Sequence, residues 1–146
     1  MSDQTDRSEE VFVNKSLLII EDSLALRQIL CEIFVNLGCQ VLAANHEDAI
    51  PHLRENGAVD LVLLGLDYPL NDGKKVFQEI QNKTLDTKLM IISSFGARDG
   101  RELLNCRPDI PFLKKPFTLN ELTNQAQILL LGLADGNLPG HPIARD

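Results

Sequence analysis

Glu21, Asp22, Asp67, Ser93 and Lys115 are the residues of this chain whose types could do chemistry together, because each stands just after a short apolar run. The acidic pair closes LLIIED, Asp67 lies two residues beyond LVLLG, Ser93 ends MIIS, and Lys115 precedes Pro116 in FLKKPF. Carboxylate oxygens suit a hard divalent cation, while a lysine ammonium and a serine hydroxyl suit phosphate oxygens. No glycine-rich phosphate loop accompanies them. Taken singly, each has a plainer reading: Glu21 and Asp22 as solvated carboxylates capping a helix, Ser93 as a turn residue, Lys115 as a surface charge. Set together at strand ends, they read as a pocket.

The elements that must position them alternate along the chain. Ser16 to Ile20, Gln40 to Ala43, Asp60 to Leu64, Leu89 to Ile92 and Ile110 to Leu113 read as strands, short and apolar. Between them lie helix-period segments. The first, about Leu24 to Leu37, has Ser23 as its N-cap, an apolar stripe through Leu26, Ile29, Leu30, Ile33 and Phe34, and Gly38 as its stop. The second, about His46 to Asn56, opens on a capping pattern from Asn45 to Asp48 and contains Pro51, which predicts an irregular helix. The third spans about Lys74 to Asn82, and the fourth, near Arg98 to Asn105, is weakened by Gly100. The fifth starts at Thr118 with Glu121 three residues on, a capping box, and ends at Gly132. Apolar runs covered on both faces and βαβ alternation predict an α/β fold, a doubly wound five-stranded parallel sheet flanked by five helices. In such sheets ligand chemistry gathers at the carboxyl ends of the strands, where these residues lie.

Composition narrows the function. A chain of 146 residues with 44% hydrophobic content has room for one core. A formal charge of −7 argues against a surface built to neutralise nucleic-acid phosphates or to bind an anionic membrane, so protein partners are expected. No apolar run approaches the roughly 20 residues that span a bilayer, and a cytoplasmic location is expected. Cys31, Cys39 and Cys106 match neither a disulfide framework nor a zinc site and read as reduced core or near-core thiols. Residues 1–14 are expected to form a flexible N-terminal tail, 15–132 the domain, and 133–146, with Gly136, Pro139, Gly140 and Pro142, a C-terminal tail or linker stub.

Across residues 15–132 the sequence resembles the receiver domain of bacterial response regulators, on four motifs in order: LLIIED, DLVLLGLDYPLNDG, MIISS and FLKKPF. The resemblance implies a flavodoxin-like sheet of strand order 2-1-3-4-5 and a role in two-component phosphorelay signalling. It implies Asp22 as a direct Mg2+ ligand, Glu21 acting through a bound water, and Asp67 contributing its backbone carbonyl. Ser93 becomes the switch hydroxyl, Lys115 the phosphate-sensing lysine and Phe112 the aromatic switch position. The sequence departs from the family at Gly65, which stands where the family has its nucleophilic aspartate and cannot form an aspartyl-phosphate. Losing that carboxylate weakens the Mg2+ site and leaves Lys115 to pair with Glu21 or Asp22. Glycine also loosens the stretch from Gly65 to Pro69.

The leading expectation is therefore a receiver-like module, not an enzyme, that signals by protein contact without phosphorylation of residue 65. Its partners would be a histidine kinase or a downstream signalling protein, and a homodimer is compatible with the family's use of the face formed by the fourth helix, fifth strand and fifth helix. The first alternative is a phosphorylatable receiver using Asp67 with Mg2+. Two residues along an extended chain is about 6.6 Å, a large displacement when reacting atoms must approach within about 3.5 Å. The second is a flavodoxin-like small-ligand binder, for which 5% aromatic content, Tyr68 as the sole tyrosine and no tryptophan offer little to stack a flavin.

Overall fold

The computed structural model describes residues 10–55, 59–67, 69–82, 87–105 and 109–132. Cys106, Tyr68 and the expected C-terminal tail lie outside them. The strands are β1 (Ser16–Ile20), β2 (Gln40–Ala44), β3 (Leu61–Leu66), β4 (Lys88–Ser93) and β5 (Phe112–Lys114). The helices between and after them are α1 (Leu24–Asn36), α2 (His46–Glu55), α3 (Asp72–Gln81), α4 (Ala97–Leu104) and α5 (Leu119–Leu131). All pairings are parallel, as the sequence pattern predicts, and the five strands follow the order β2-β1-β3-β4-β5 that the family resemblance implies.

Each face of the sheet carries its own core, because side chains alternate along a strand. Leu18, Ile20, Val62, Leu64 and Ile91 meet Ala49, Leu53, Val76, Phe77 and Leu104 on one face. Leu17, Ile19, Leu61, Leu63 and Ile92 meet Leu30, Phe34, Leu122 and Ala126 on the other. Every residue of β3 is buried, which fits a central strand flanked by β1 and β4. No helix of the described residues is long and apolar enough to cross a membrane.

Helix ends follow the sequence signals. Ser23 accepts a hydrogen bond from the Leu26 N–H at 3.3 Å. The Thr118 hydroxyl accepts from the Glu121 N–H at 3.0 Å, while the Glu121 carboxylate accepts from the Thr118 N–H at 2.8 Å. Gly132 then takes a left-handed φ of 70°, a conformation that favours glycine. α2 runs continuously through Pro51, whose missing N–H leaves one backbone bond unmade.

Most element boundaries shift by one or two residues from the sequence reading, and three of the differences bear on the site or the core. The apolar run read as the third strand stops at Leu64, whereas β3 continues to Leu66, paired with Ser93, because the fully buried Leu66 fills the core. Gly65 accordingly sits in regular pairing with Ile92 rather than in a loosened loop. β5 begins at Phe112 rather than at Ile110, which is nevertheless buried. Within the segment expected as an N-terminal tail, Phe12 is buried, 3% exposed, against Phe34.

Candidate functional site

Glu21 directly follows β1, and its N–H donates to the Ala44 carbonyl at 3.0 Å, which extends the strand's path by one residue. The residue is 3% exposed, and its side chain lies across β3 above Gly65. A Cβ built at residue 65 would run into this carboxylate, with Glu21 Cδ only 2.8 Å away. Glycine at this position and an inward Glu21 are therefore two halves of one arrangement. One Glu21 oxygen accepts from the Ser23 N–H at 2.9 Å, and the other lies 3.3 Å from Lys115 Nζ.

Lys115 leaves the end of β5, where its N–H donates to the Ser93 carbonyl at 2.7 Å. Its ammonium also reaches Asp67 Oδ2 at 2.9 Å, and Asp67 Oδ1 accepts from the Ser94 N–H at 3.0 Å. The pocket is thus a Glu21–Lys115–Asp67 bridge that joins the ends of β1, β3 and β5. Of the two partners that the sequence offers Lys115, the structure selects Glu21, and it adds Asp67.

Partial burial raises the Asp67 carboxyl pKa, but hydrogen bonds from Lys115 and Ser94 and the lysine charge outweigh it and hold the group below its ordinary 3.8. A depressed carboxyl contributes stability above its unfolded value, and that contribution is lost as pH falls through the folded value. Asp67→Asn is expected to lose less urea stability than the parent between about pH 7 and about pH 3. Equal losses in the two proteins would remove this role from Asp67.

Asp22 points elsewhere. Its Oδ1 accepts from the His46 N–H at 2.7 Å, and its Oδ2 lies 3.0 Å from His46 Nδ1. The buried His46 ring spans from there to β3, where Nε2 lies 2.6 Å from the Gly65 carbonyl oxygen. A carbonyl only accepts, so Nε2 donates, and Nδ1 forms an ion pair with Asp22 only when the ring carries a proton on both nitrogens. The sequence reading passed over His46. The rule that selected the other site residues, position at the carboxyl end of a strand, also applies to β2 and would have found it.

Ser93 is fully buried, and its hydroxyl donates to the Phe95 carbonyl rather than pointing to Lys115. Phe112 is half-buried against α4. A Cβ at Gly100 would collide with its ring, so the glycine that weakens α4 also makes room for the aromatic side chain. The Arg101 guanidinium carbon lies 5.6 Å from the Phe112 ring centroid, within cation–π range. Cys39 is buried, and burial, reinforced by the nearby Asp60, pushes its thiol up to about 11, as expected of an inert core cysteine. Cys31, partly buried on α1, is also free and shifted upward by burial.

The oxygens do not fit a divalent cation as arranged. Glu21 and Asp67 both face the Lys115 ammonium, and Asp22 is engaged by His46. Among the described residues, no group of three or more His, Cys, Asp or Glu side chains gathers to hold a metal. The side-chain ligands of the weak Mg2+ site that the resemblance implies, Glu21 and Asp22, are thus turned to protein partners in this arrangement, while Asp67 was expected to contribute only its backbone carbonyl.

Comparison with known proteins places this geometry. The family model of the response regulator receiver domain matches residues 17–127. The transcriptional activator protein PfeR of Pseudomonas aeruginosa is 30% identical over 123 residues, covering 84% of this chain and 40% of that protein. Sporulation initiation phosphotransferase F of Bacillus subtilis is 26% identical, covering 75% of this chain and 89% of that protein. The transcriptional regulatory protein CiaR of Streptococcus pneumoniae is 27% identical, and the match spans 50% of its length. Among solved structures, the response regulator protein TrrA of Thermotoga maritima, in complex with Mg2+-BeF, is 27% identical with a TM-score of 0.66, covering 79% of this chain and 98% of that one. With the sheet order, the strand-end pocket and the family match in agreement, this chain belongs to the response regulator receiver domain family.

Proposed function

We propose that this chain is a receiver module of a two-component system whose output is set by protein contact, without an aspartyl-phosphate at residue 65. The observation that carries this reading is the Glu21 carboxylate above Gly65, paired with Lys115. It returns to the pocket the negative charge that glycine removes, but from a buried side chain that is already hydrogen-bonded on both oxygens. Lys115 then acts as the cation of the site, and Mg2+ is not needed to hold the strand ends together. Such a pocket favours one resting state instead of two.

In this reading the module is not an enzyme. It acts in the cytoplasm on a histidine kinase, a downstream signalling protein or a second copy of itself, through the face made by α4, β5 and α5. The exposed Leu119 at the start of α5 offers an apolar contact there.

The second reading, phosphorylation of Asp67 with Mg2+, draws on one specific observation: its side chain is 47% exposed and reaches Lys115. The two are separated by incubating the chain with Mg2+ and a small acyl phosphate, followed by intact-mass and phosphopeptide analysis. No adduct is expected. A phosphate on Asp67 would replace the contact-only reading with a working phosphoswitch.

A further inference from the structure

We infer that His46 is a positioning residue that holds Asp22 off the pocket, so that two separate contacts, and not the missing carboxylate at residue 65 alone, close this site to divalent cations. This rests on the reading of the pocket as closed and assigns part of that closure to a residue outside the acidic cluster.

Asp22 is 60% exposed in its side chain, yet both its oxygens lie against one residue: Oδ1 accepts from the His46 backbone N–H at 2.7 Å, and Oδ2 sits 3.0 Å from ring Nδ1. The ring itself has little freedom. Nε2 is tied to the Gly65 carbonyl at 2.6 Å, and Cε1 lies 3.1 Å from where a Cβ on Gly73 would stand. A Cβ at Gly73 would collide first with Leu66 Cδ2 and would also crowd the ring, so the absence of a side chain there leaves room for both Leu66 and His46. His46 therefore couples Asp22 to the backbone of residue 65. A hard cation needs several oxygens at once. The carboxylates left in the pocket, those of Glu21 and Asp67, already share Lys115.

The consequence is specific. An aspartate introduced at residue 65 displaces the Glu21 carboxylate, which is the free end of a flexible side chain, and adds an oxygen donor near Lys115. It leaves Asp22 on His46. Gly65→Asp alone therefore restores only part of the cation affinity. Removing the ring as well frees Asp22 Oδ2, while the backbone bond to Oδ1 remains available.

The test is calorimetric titration of Mg2+ into the full chain, its Gly65→Asp variant and the Gly65→Asp/His46→Gly double variant. The double variant is expected to bind about tenfold more tightly than Gly65→Asp, the scale on which partners of metal ligands tune affinity. Equal or weaker binding by the double variant overturns the inference. If glycine at residue 46 unfolds the chain by circular dichroism, Gly65→Asp/His46→Ala carries the same comparison. In the unsubstituted protein, a nuclear Overhauser contact between the His46 Hε1 proton and the Gly73 α protons is expected, and its absence overturns the placement of the ring. A phosphate adduct on the unsubstituted chain would sink the contact-only function and leave the His46 comparison standing. Equal Mg2+ affinities would do the reverse.

Discussion

Lys115→Met is expected to lower stability by about 3 kcal/mol, at the lower end of what removing one partner of a buried ion pair costs. Methionine preserves much of the lysine stem's packing, so the loss reports the charge. Glu21 is 3% exposed, and without the ammonium its carboxylate keeps only the Ser23 N–H at 2.9 Å as a partner. The cost is the burial of a charge with too few partners, not the value of the pair itself. Glu21→Gln/Lys115→Met should therefore recover most of the loss, since the buried charge is then gone. Urea unfolding of the single and double variants measures both. A loss below about 1 kcal/mol in Lys115→Met would show a solvated Glu21, and the account of the pocket as self-neutralised would have to be given up.

Phe12→Ala is expected to cost about 3 kcal/mol, in the range for a large aromatic removed from a packed site. The Phe12 ring lies 5.9 Å from the Phe34 ring, tilted at 58°. The segment around it is held from the other side as well. The Asn14 N–H donates to the Gly38 carbonyl at 2.9 Å, and Gly38, at φ 104°, leaves room for Val13, whose Cα would lie 3.2 Å from a Cβ there. The Gly38 that stops α1 thus also receives the N-terminal segment. If urea unfolding showed Phe12→Ala to be as stable as the parent, the segment would be a tail that only rests on the domain.

The pattern of the chain carried the architecture. Runs such as Leu61 to Leu64 could only be central strands covered on both faces, and the helical segments between them left parallel pairing as the available topology. The capping box at Thr118 and Glu121 fixed the start of α5 locally, because its partners are three residues apart. Ser93 and Lys115 were placed at strand ends by the same reading, and the structure puts them there, with Gly65 one residue inside the end of β3.

What the sequence by itself determined, then, is which residues arrive at the carboxyl edge of the sheet. What only the tertiary structure decided is how they pair once there. Glu21 and Asp22 are adjacent acids, yet one turns inward to Lys115 and the other outward to His46. Consecutive side chains at a strand end point to opposite sides, and each direction is settled by partners from distant elements. Lys115 is 94 residues from Glu21, and His46 is 24 from Asp22. The vacancy above Gly65 and the room beside Gly73 are equally nonlocal. Each is a space whose occupants belong to other segments, so the folded chain alone shows that Glu21 fills the first, and Leu66 and His46 the second.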